Sequence, residues 1–120
     1  MYQKGIATEL AQRNIKYTSE EVIPVCYGEI PVGFERMDLY CYELGVILEL
    51  KAVTGDIRQE FIWQLVNYMR EKSVWRGMVV NYSQGVGKGI QIEYVICHEG
   101  EYFLWKKEEN TMSPLGDGGY

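Results

Sequence analysis

Two charged residues lie in a part of the chain that otherwise reads as a buried β-strand. Glu49 and Lys51 belong to the run Val46-Ile47-Leu48-Glu49-Leu50-Lys51, whose remaining members are branched or aliphatic. Side chains alternate along a strand, so Glu49 and Lys51 share one face and the leucines share the other. Two charges on one face of so apolar a strand require either a polar partner or a function.

The preceding strand brings a second carboxylate, that of Asp38, toward the same place. Its predicted face consists of residues at alternate positions, namely Phe34, Arg36, Asp38 and Tyr40. An even-length hairpin centred on Glu43-Leu44 places Asp38 directly opposite Glu49. A hairpin centred one pair further along makes them diagonal neighbours, and an odd-length loop breaks the match unless a bulge restores the phase.

Facing carboxylates in a sheet repel each other and need a positive charge between them. Mg²⁺ favours carboxylate and carbonyl oxygens and is one solution. Lys51 would then orient or polarise a water molecule, or stabilise charge that develops on a phosphate. The alternative is a solvent-exposed strand face on which Lys51 bridges the two acids as an ion pair. Spacing alone leaves both interpretations open.

The rest of the chain supplies the elements that hold these residues. Hydrophobic periodicity and turn residues predict a helix, three strands, a second helix and three further strands. Their predicted ranges are 2–14, 16–27, 30–42, 46–51, 56–72, 75–82, 90–96 and 102–106. Asp56 and Gln59 match a capping box at the start of the second helix, and Gly33 suggests a bulge. The first three strands form an antiparallel meander, and the crossover helix gives a mixed α/β sheet.

Length and composition set the class of protein. The 120 residues fit one domain, predicted to span residues 1–110, with residues 111–120 as a flexible tail. The formal net charge of −5 argues against a broad basic surface that coats DNA, but it allows a metal-dependent enzyme with a local basic patch. No apolar run approaches a membrane span, and no signal peptide precedes the domain, so we expect an intracellular protein of the cytoplasm or nucleus.

The linked order of these motifs resembles the PD-(D/E)XK nuclease superfamily, whose signature is an aspartate followed, after a hairpin, by (D/E)-x-K. Within it the chain is most similar to the small GxxExxR-type proteins, over about residues 2–96. The matching stretches are residues 21–24, 32–33, 36–39, 46–53 and 64–68. The resemblance implies a restriction-endonuclease-like core of helix, three-strand meander, helix and strand, with extra C-terminal strands.

The resemblance also implies a set of site residues. Mg²⁺ or Mn²⁺ would be held by Asp38, Glu49 and the backbone carbonyl of Leu50, with Lys51 beside the attacking water. Gln64 and Tyr68 resemble the Q-x-x-x-Y helix motif of RecB-type nucleases, and their i, i+4 spacing puts both on one helical face. The alternatives are a polar surface residue for Gln64 and a core aromatic for Tyr68.

Three further residues are candidates at the edge of the site. Glu9 would supply the acid that some superfamily members carry on the first helix, or would form an ordinary i, i+4 ion pair with Arg13. Arg36 and Lys88 are candidates for contact with nucleic acid. The glycine-rich loop that carries Lys88 lacks the spacing of a phosphate-binding loop and is better interpreted as a flexible hairpin loop.

Two functional hypotheses follow. The first is a Mg²⁺-dependent, nuclease-like hydrolase that cleaves phosphodiester bonds in nucleic acid, with DNA as the expected substrate. The second is a noncatalytic structural or protein-interaction domain that retains the nuclease fold. So small a domain offers little surface to embrace a substrate, so a homodimer or a protein partner is expected to complete it. No membrane is expected as a partner.

Overall fold

A single mixed sheet organises the protein. The computed structural model describes residues 2–83 and 89–115. In chain order its elements are α1 (Tyr2–Gln12), β1 (Thr18–Tyr27), β2 (Ile30–Cys41), β3 (Val46–Lys51), α2 (Gln59–Lys72), β4 (Arg76–Tyr82), β5 (Ile90–His98), β6 (Glu101–Lys106) and β7 (Thr111–Pro114). The described strands form one sheet in the order β1 to β7. No helix in these ranges is both long and apolar enough to cross a membrane.

The strand directions follow from the connections. β1, β2 and β3 are joined by short turns and pair antiparallel, as predicted. β3 and β4 are joined through α2 and pair in parallel, because a crossover helix returns the chain to the same end of the sheet. β4 to β7 again pair antiparallel. The predicted mixed α/β fold is therefore confirmed.

The two helices pack on opposite faces of the sheet. Ile47 of β3 packs with the buried residues of α2, among them Leu65 and Tyr68. Its neighbour Leu48 packs with Leu39 of β2 and with the apolar stripe of α1, Ile6 and Leu10. Neighbours along a strand point to opposite sides, so the sheet has an "α2 face" and an "α1 face".

The C-terminal part of the chain corrects one prediction. Thr111–Pro114, which the sequence analysis placed in a flexible tail, form β7 and pair with β6 from Lys106↔Thr111 to Phe103↔Pro114. Pro114 is compatible with an edge strand, where its missing N–H group costs no ladder hydrogen bond. The last five residues, 116–120, lie outside the described part of the chain.

The predicted capping box at α2 is wrong. The helix begins at Gln59, and its N-cap residue Arg58 makes no capping hydrogen bond through its side chain. Asp56 instead accepts a hydrogen bond from Gln91 Nε2 of β5 at 2.8 Å. The buried Asn81 of β4 accepts a bond from the Val53 N–H group at 3.0 Å. The loop between β3 and α2 is thus anchored on the sheet, and Asp56 serves that anchor rather than the helix.

A glycine sets the distance between α2 and the sheet. A Cβ atom at Gly77 of β4 would lie 2.7 Å from Leu65 Cδ1 and 3.1 Å from Met69 Sδ. Leu65 and Met69 are both fully buried, so neither side chain has room to move away. The missing side chain therefore allows α2 to approach β4 closely. The same helix carries Gln64 and Tyr68.

Gly77→Val is expected to lower the free energy of unfolding by about 1–3 kcal/mol, because the added methyl groups overpack the contact with Leu65. Chemical denaturation measures the change. Gly33→Val is the matched control, since a Cβ atom at Gly33 meets nothing within 4 Å. Equal stability of the two variants would show that α2 does not depend on Gly77.

Candidate active site

The backbone ladder between β2 and β3 ends next to the two acidic residues, Asp38 and Glu49. Its last pair is Leu39↔Leu48, in the register that the even-length hairpin predicts. One position further, the Asp38 N–H group donates to Glu49 Oε2 at 2.8 Å. In return the Leu50 N–H group donates to Asp38 Oδ2 at 2.7 Å. Asp38 and Glu49 thus form a "carboxylate pair" in which each side chain replaces a backbone acceptor of the sheet.

The sheet is also interrupted on the other side of Asp38. β1 and β2 pair at Ser19↔Leu39 and at Glu21↔Met37, which leaves Glu20 opposite Asp38 without a ladder pair. Glu20 has φ +55°, a left-handed conformation that is rare for a residue other than glycine. Such strain persists only where the surrounding structure imposes it, and it is concentrated at functional sites. Asp38 therefore lies at a break in both of its neighbouring ladders.

The surroundings of the carboxylate pair favour its neutral form. Glu49 is 1% exposed. Burial, and secondarily the charge of Asp38, raise the pKa of Glu49 from its ordinary value of 4.5 to about 8. Burial also raises the pKa of Asp38, against the opposing effects of the Leu50 N–H group and the Lys51 charge. At neutral pH the pair therefore needs a shared proton or a cation.

Lys51 is held by α2 beside the pair. Its Nζ donates to Gln64 Oε1 at 3.0 Å and lies 4.7 Å from the centre of the Phe61 ring. Its positive charge lowers the pKa of both Asp38 and Glu49. Each acid is anchored by a backbone N–H group, so the pair does not depend on Lys51 as a bridge. The structure brings Gln64, predicted from the helix motif, into direct contact with this lysine.

Tyr68 is a core residue that also contacts the site. Its side chain is fully buried, and its hydroxyl donates to Glu35 Oε2 at 2.9 Å, with the Arg36 carbonyl at 3.2 Å. Burial first, then the charge of Glu49 and the Glu35 contact, raise the pKa of Tyr68. The predicted core aromatic is therefore confirmed. Its polar end lies among the acidic residues.

Glu35 is the site residue that the sequence analysis missed, because the predicted face of β2 is wrong. Phe34 is 72% exposed and Arg36 is also exposed. Glu35 and Met37 instead face α2, and so does Tyr40, three residues after Met37. Alternation is therefore interrupted between Met37 and Tyr40, at Asp38. The available signal was Met37, an apolar residue between two charged ones.

Three other candidates lie away from these contacts or outside the described residues. Glu9 is exposed on α1 and forms the i, i+4 ion pair with Arg13, at 2.7 Å. The ion pair that was the alternative for Glu9 is therefore confirmed, and its role as a metal ligand stays a prediction. Arg36 is exposed on β2, two residues before Asp38. Lys88 lies outside the described residues.

The donor set limits the kind of metal site that is possible. Within residues 2–83 and 89–115, no group of three or more His, Cys, Asp or Glu side chains is arranged to hold a metal ion. Mg²⁺ does not need such a cage, since it is commonly bound by one or two carboxylates plus water and substrate phosphates. The carboxylate pair fits that open type of site. A bound cation would take the place of the shared proton that burial favours at neutral pH.

The sequence model of the PD-(D/E)XK nuclease superfamily matches residues 1–92. The chain belongs to this superfamily. The match covers α1 to β4 and the start of β5, and it includes Asp38, Glu49 and Lys51. The mixed sheet with its two helices is consistent with a restriction-endonuclease-like fold. No curated protein and no solved structure shows significant similarity to the chain, and membership of the GxxExxR subtype stays a prediction.

The raised pKa of Glu49 predicts how stability depends on pH without metal. A carboxyl group whose folded-state pKa is raised stabilises the fold below its unfolded pKa, and this stability is lost as the pH rises through the folded pKa. In EDTA, the free energy of unfolding should therefore fall by roughly 2–5 kcal/mol from about pH 4.5 to about pH 8. Glu49→Gln should flatten this profile. Denaturation at a series of pH values measures it.

The control for this pH profile is Glu9→Gln, which removes an exposed carboxylate on α1. It should leave the slope of the wild-type profile intact. A wild-type stability that rises over the same pH range would contradict the assigned surroundings of Glu49.

The left-handed conformation of Glu20 predicts a reversed order of stability between two substitutions. Glu20→Gly and Glu20→Ala remove the same carboxylate, but only glycine relieves the backbone, so the Gly variant should be more stable by about 1 kcal/mol. Thermal denaturation compares them. Val22, in β1 without positive φ, is the matched position, where Ala should be the more stable residue. If the Ala variant is the more stable one at both positions, the backbone of Glu20 is not strained.

Proposed function

We propose that this protein is a Mg²⁺- or Mn²⁺-dependent nuclease that hydrolyses phosphodiester bonds in nucleic acid, with DNA as the expected substrate. The observation that carries the proposal is the carboxylate pair, with Glu49 buried and Asp38 half-buried, beside a lysine that α2 holds in place. Membership of the PD-(D/E)XK superfamily supports a nuclease-type function and nucleic-acid binding, and nucleases of this superfamily generally use divalent metals. A purely structural domain has no need of so costly an arrangement.

Asp38, Glu49 and the backbone carbonyl of Leu50 are the proposed ligands. When bound, the divalent ion supplies positive charge against the phosphate and the leaving oxygen. The orientation of each carboxylate is fixed, because each accepts a hydrogen bond from the backbone of the other strand. The metal would also replace the shared proton that burial otherwise imposes on the pair.

Lys51 is the proposed residue that positions the attacking water. Its contacts with Gln64 and Phe61 restrict a long and flexible side chain to one direction. Holding a catalytic group in its reactive geometry removes much of the entropic cost of the reaction. Gln64 acts through Lys51 and is therefore a positioning residue.

Nucleic acid is proposed to approach along the β1–β2 hairpin. Arg36 is exposed on the side of β2 opposite Glu35 and Met37, so its proposed phosphate contact lies outside the carboxylate pair itself. Phe34, on the same side of β2, is 72% exposed and offers a flat surface for a base.

The proposal predicts a metal-dependent cleavage activity. Wild-type protein should cleave single- or double-stranded DNA or RNA with Mg²⁺ or Mn²⁺, and EDTA should abolish cleavage. Asp38→Ala and Lys51→Ala should each lower the rate by about 100-fold or more, since each removes charge from the reaction centre. Glu9→Ala is the matched control, because its carboxylate lies on the opposite helix and should not affect the rate. Circular dichroism checks that every variant is folded.

Metal binding gives an independent readout. Mg²⁺ should raise the melting temperature of wild-type protein and of Lys51→Ala, but not of Asp38→Ala, because a ligand of the folded state stabilises it. Activity unchanged by EDTA and by both substitutions would overturn the mechanism. A folded protein that neither cleaves nucleic acid nor responds to Mg²⁺ would favour the alternative function, a noncatalytic structural or protein-interaction domain that retains the nuclease fold.

A further inference from the structure

The α1 face of the C-terminal strands is apolar where a solvated sheet would be polar. Val95 and Cys97 of β5 pack on the α2 side, so the alternate positions of β5 point to the α1 side. The four residues at these alternate positions before His98, the last residue of β5, are all large and apolar: Ile90, Ile92, Tyr94 and Ile96. Their partners across the ladder include Trp105 and Phe103 of β6, and Met112 of β7 pairs with Trp105. A sheet with one solvated face normally carries polar residues there.

Within the described residues, α1 covers a different part of this face. Its side chains pack against Leu39, Cys41 and Leu48 of β2 and β3, and the cluster extends as far as Met78 of β4. Beyond that strand, Ile92 remains 42% exposed and Met112 49% exposed. A contiguous apolar surface of this kind is typical of a protein interface.

The exposed surface has a definite shape, with two grooves and a ridge between them. An "apolar groove" of about 420 Å³ runs from Trp75 and Met78 to Trp105. A "charged groove" of about 500 Å³ is lined by Ile92 and by the β6–β7 turn. Tyr94 and Trp105 line both grooves and form the ridge, with their rings in edge-to-face contact at 5.5 Å. The surface therefore has both a protrusion and a recess.

The charges around this surface complement each other across the ridge. Arg76 lines the apolar groove, where its Nη2 donates to the Leu44 carbonyl at 2.6 Å while its Nε is buried without a hydrogen-bond acceptor among the described residues. Such an atom costs free energy unless an acceptor reaches it. The charged groove, on the far side of the ridge, is lined by three acids and two bases, so it carries one net negative charge: Glu93, Glu108, Glu109, Lys106 and Lys107. One surface thus carries an arginine on one side of the ridge and a net negative groove on the other.

We propose that this surface binds a second copy of the same chain around a two-fold axis. In a two-fold interface one patch binds itself, so every protrusion must meet a recess and every charge its opposite. The ridge of Tyr94 and Trp105 in each copy fills the apolar groove of the other. The same step brings the net negative groove of each copy, with Glu108 and Glu109, toward the positive charge of Arg76 of the other.

The course of the C-terminus favours a second copy over the protein's own tail. Leu115, the last described residue, packs with the α2-face cluster, and its N–H group donates to the Tyr102 carbonyl at 3.2 Å. The described chain therefore ends against the opposite side of the sheet. The carboxylate pair also lies on the α2 side, so a dimer formed through the α1 face leaves both sites open.

Sedimentation equilibrium tests the proposal directly. The full chain should have twice its monomer mass of 13.9 kDa at micromolar concentration. Ile92→Lys places a charge in the interface and should weaken dimerisation at least tenfold. Val22→Lys is the matched control, an exposed apolar residue of β1 (56% exposed) at the other end of the sheet, and should leave the dimer intact. Melting curves confirm that both variants are folded.

A charge exchange tests the orientation of the two copies. Arg76→Glu should weaken the dimer, and adding Glu108→Lys and Glu109→Lys to the same chain should restore it. A wild-type chain that is monomeric at about 100 μM, or a dimer weakened by Val22→Lys and not by Ile92→Lys, would overturn the proposal. The proposal would also be overturned if the full chain is a monomer and a chain ending at Leu115 is a dimer. The C-terminal tail would then be the segment that covers this surface.

Discussion

The exchange of hydrogen bonds between Asp38 and Glu49 is the constraint on which the rest of the structure depends. Two adjacent strands give up their backbone pairing so that each carboxylate can accept a bond from the other strand. Buried carboxylates are unfavourable on two counts, desolvation and mutual repulsion, and backbone N–H groups compensate only part of that cost. Favourable packing elsewhere in the fold must therefore offset the free-energy cost of holding the two acids in this position.

The apolar core around α2 supplies that stability and positions the other polar groups. Leu65, Val66 and Met69 are fully buried, and they fix the helix against β4 at the distance that Gly77 allows. With the helix fixed in this way, Gln64 contacts Lys51 and Tyr68 contacts Glu35. The same packing that compensates for the acids thus determines the direction of the lysine beside them. Stability and site geometry are not separate properties here.

The parts of the site that the sequence predicts are those that follow from periodicity. The short β2–β3 turn fixes the register of the hairpin, and the even-length hairpin, one of the alternatives that the sequence left open, is the one that forms. The face of β2 could not be predicted, because the interruption at Asp38 results from tertiary contacts of the carboxylate pair. Glu20 has no sequence mark of its left-handed conformation, and Asp56 satisfies a capping pattern that Gln91 overrides. Local rules failed where a long-range hydrogen bond competed with them.

The two faces of the sheet carry different features, the acidic site on one face and exposed apolar side chains on the other. A chain of 120 residues offers little surface with which to embrace a polymeric substrate in addition to burying a charged site. The α2 face is committed to the carboxylate pair and the packing that supports it. The α1 face of β5 to β7 carries apolar side chains that the described core does not use. Strand alternation assigns each residue to one face only. A substitution on the α1 face that strengthens the proposed dimer therefore need not disturb Asp38 and Glu49, so dimerisation and the acidic site can evolve separately.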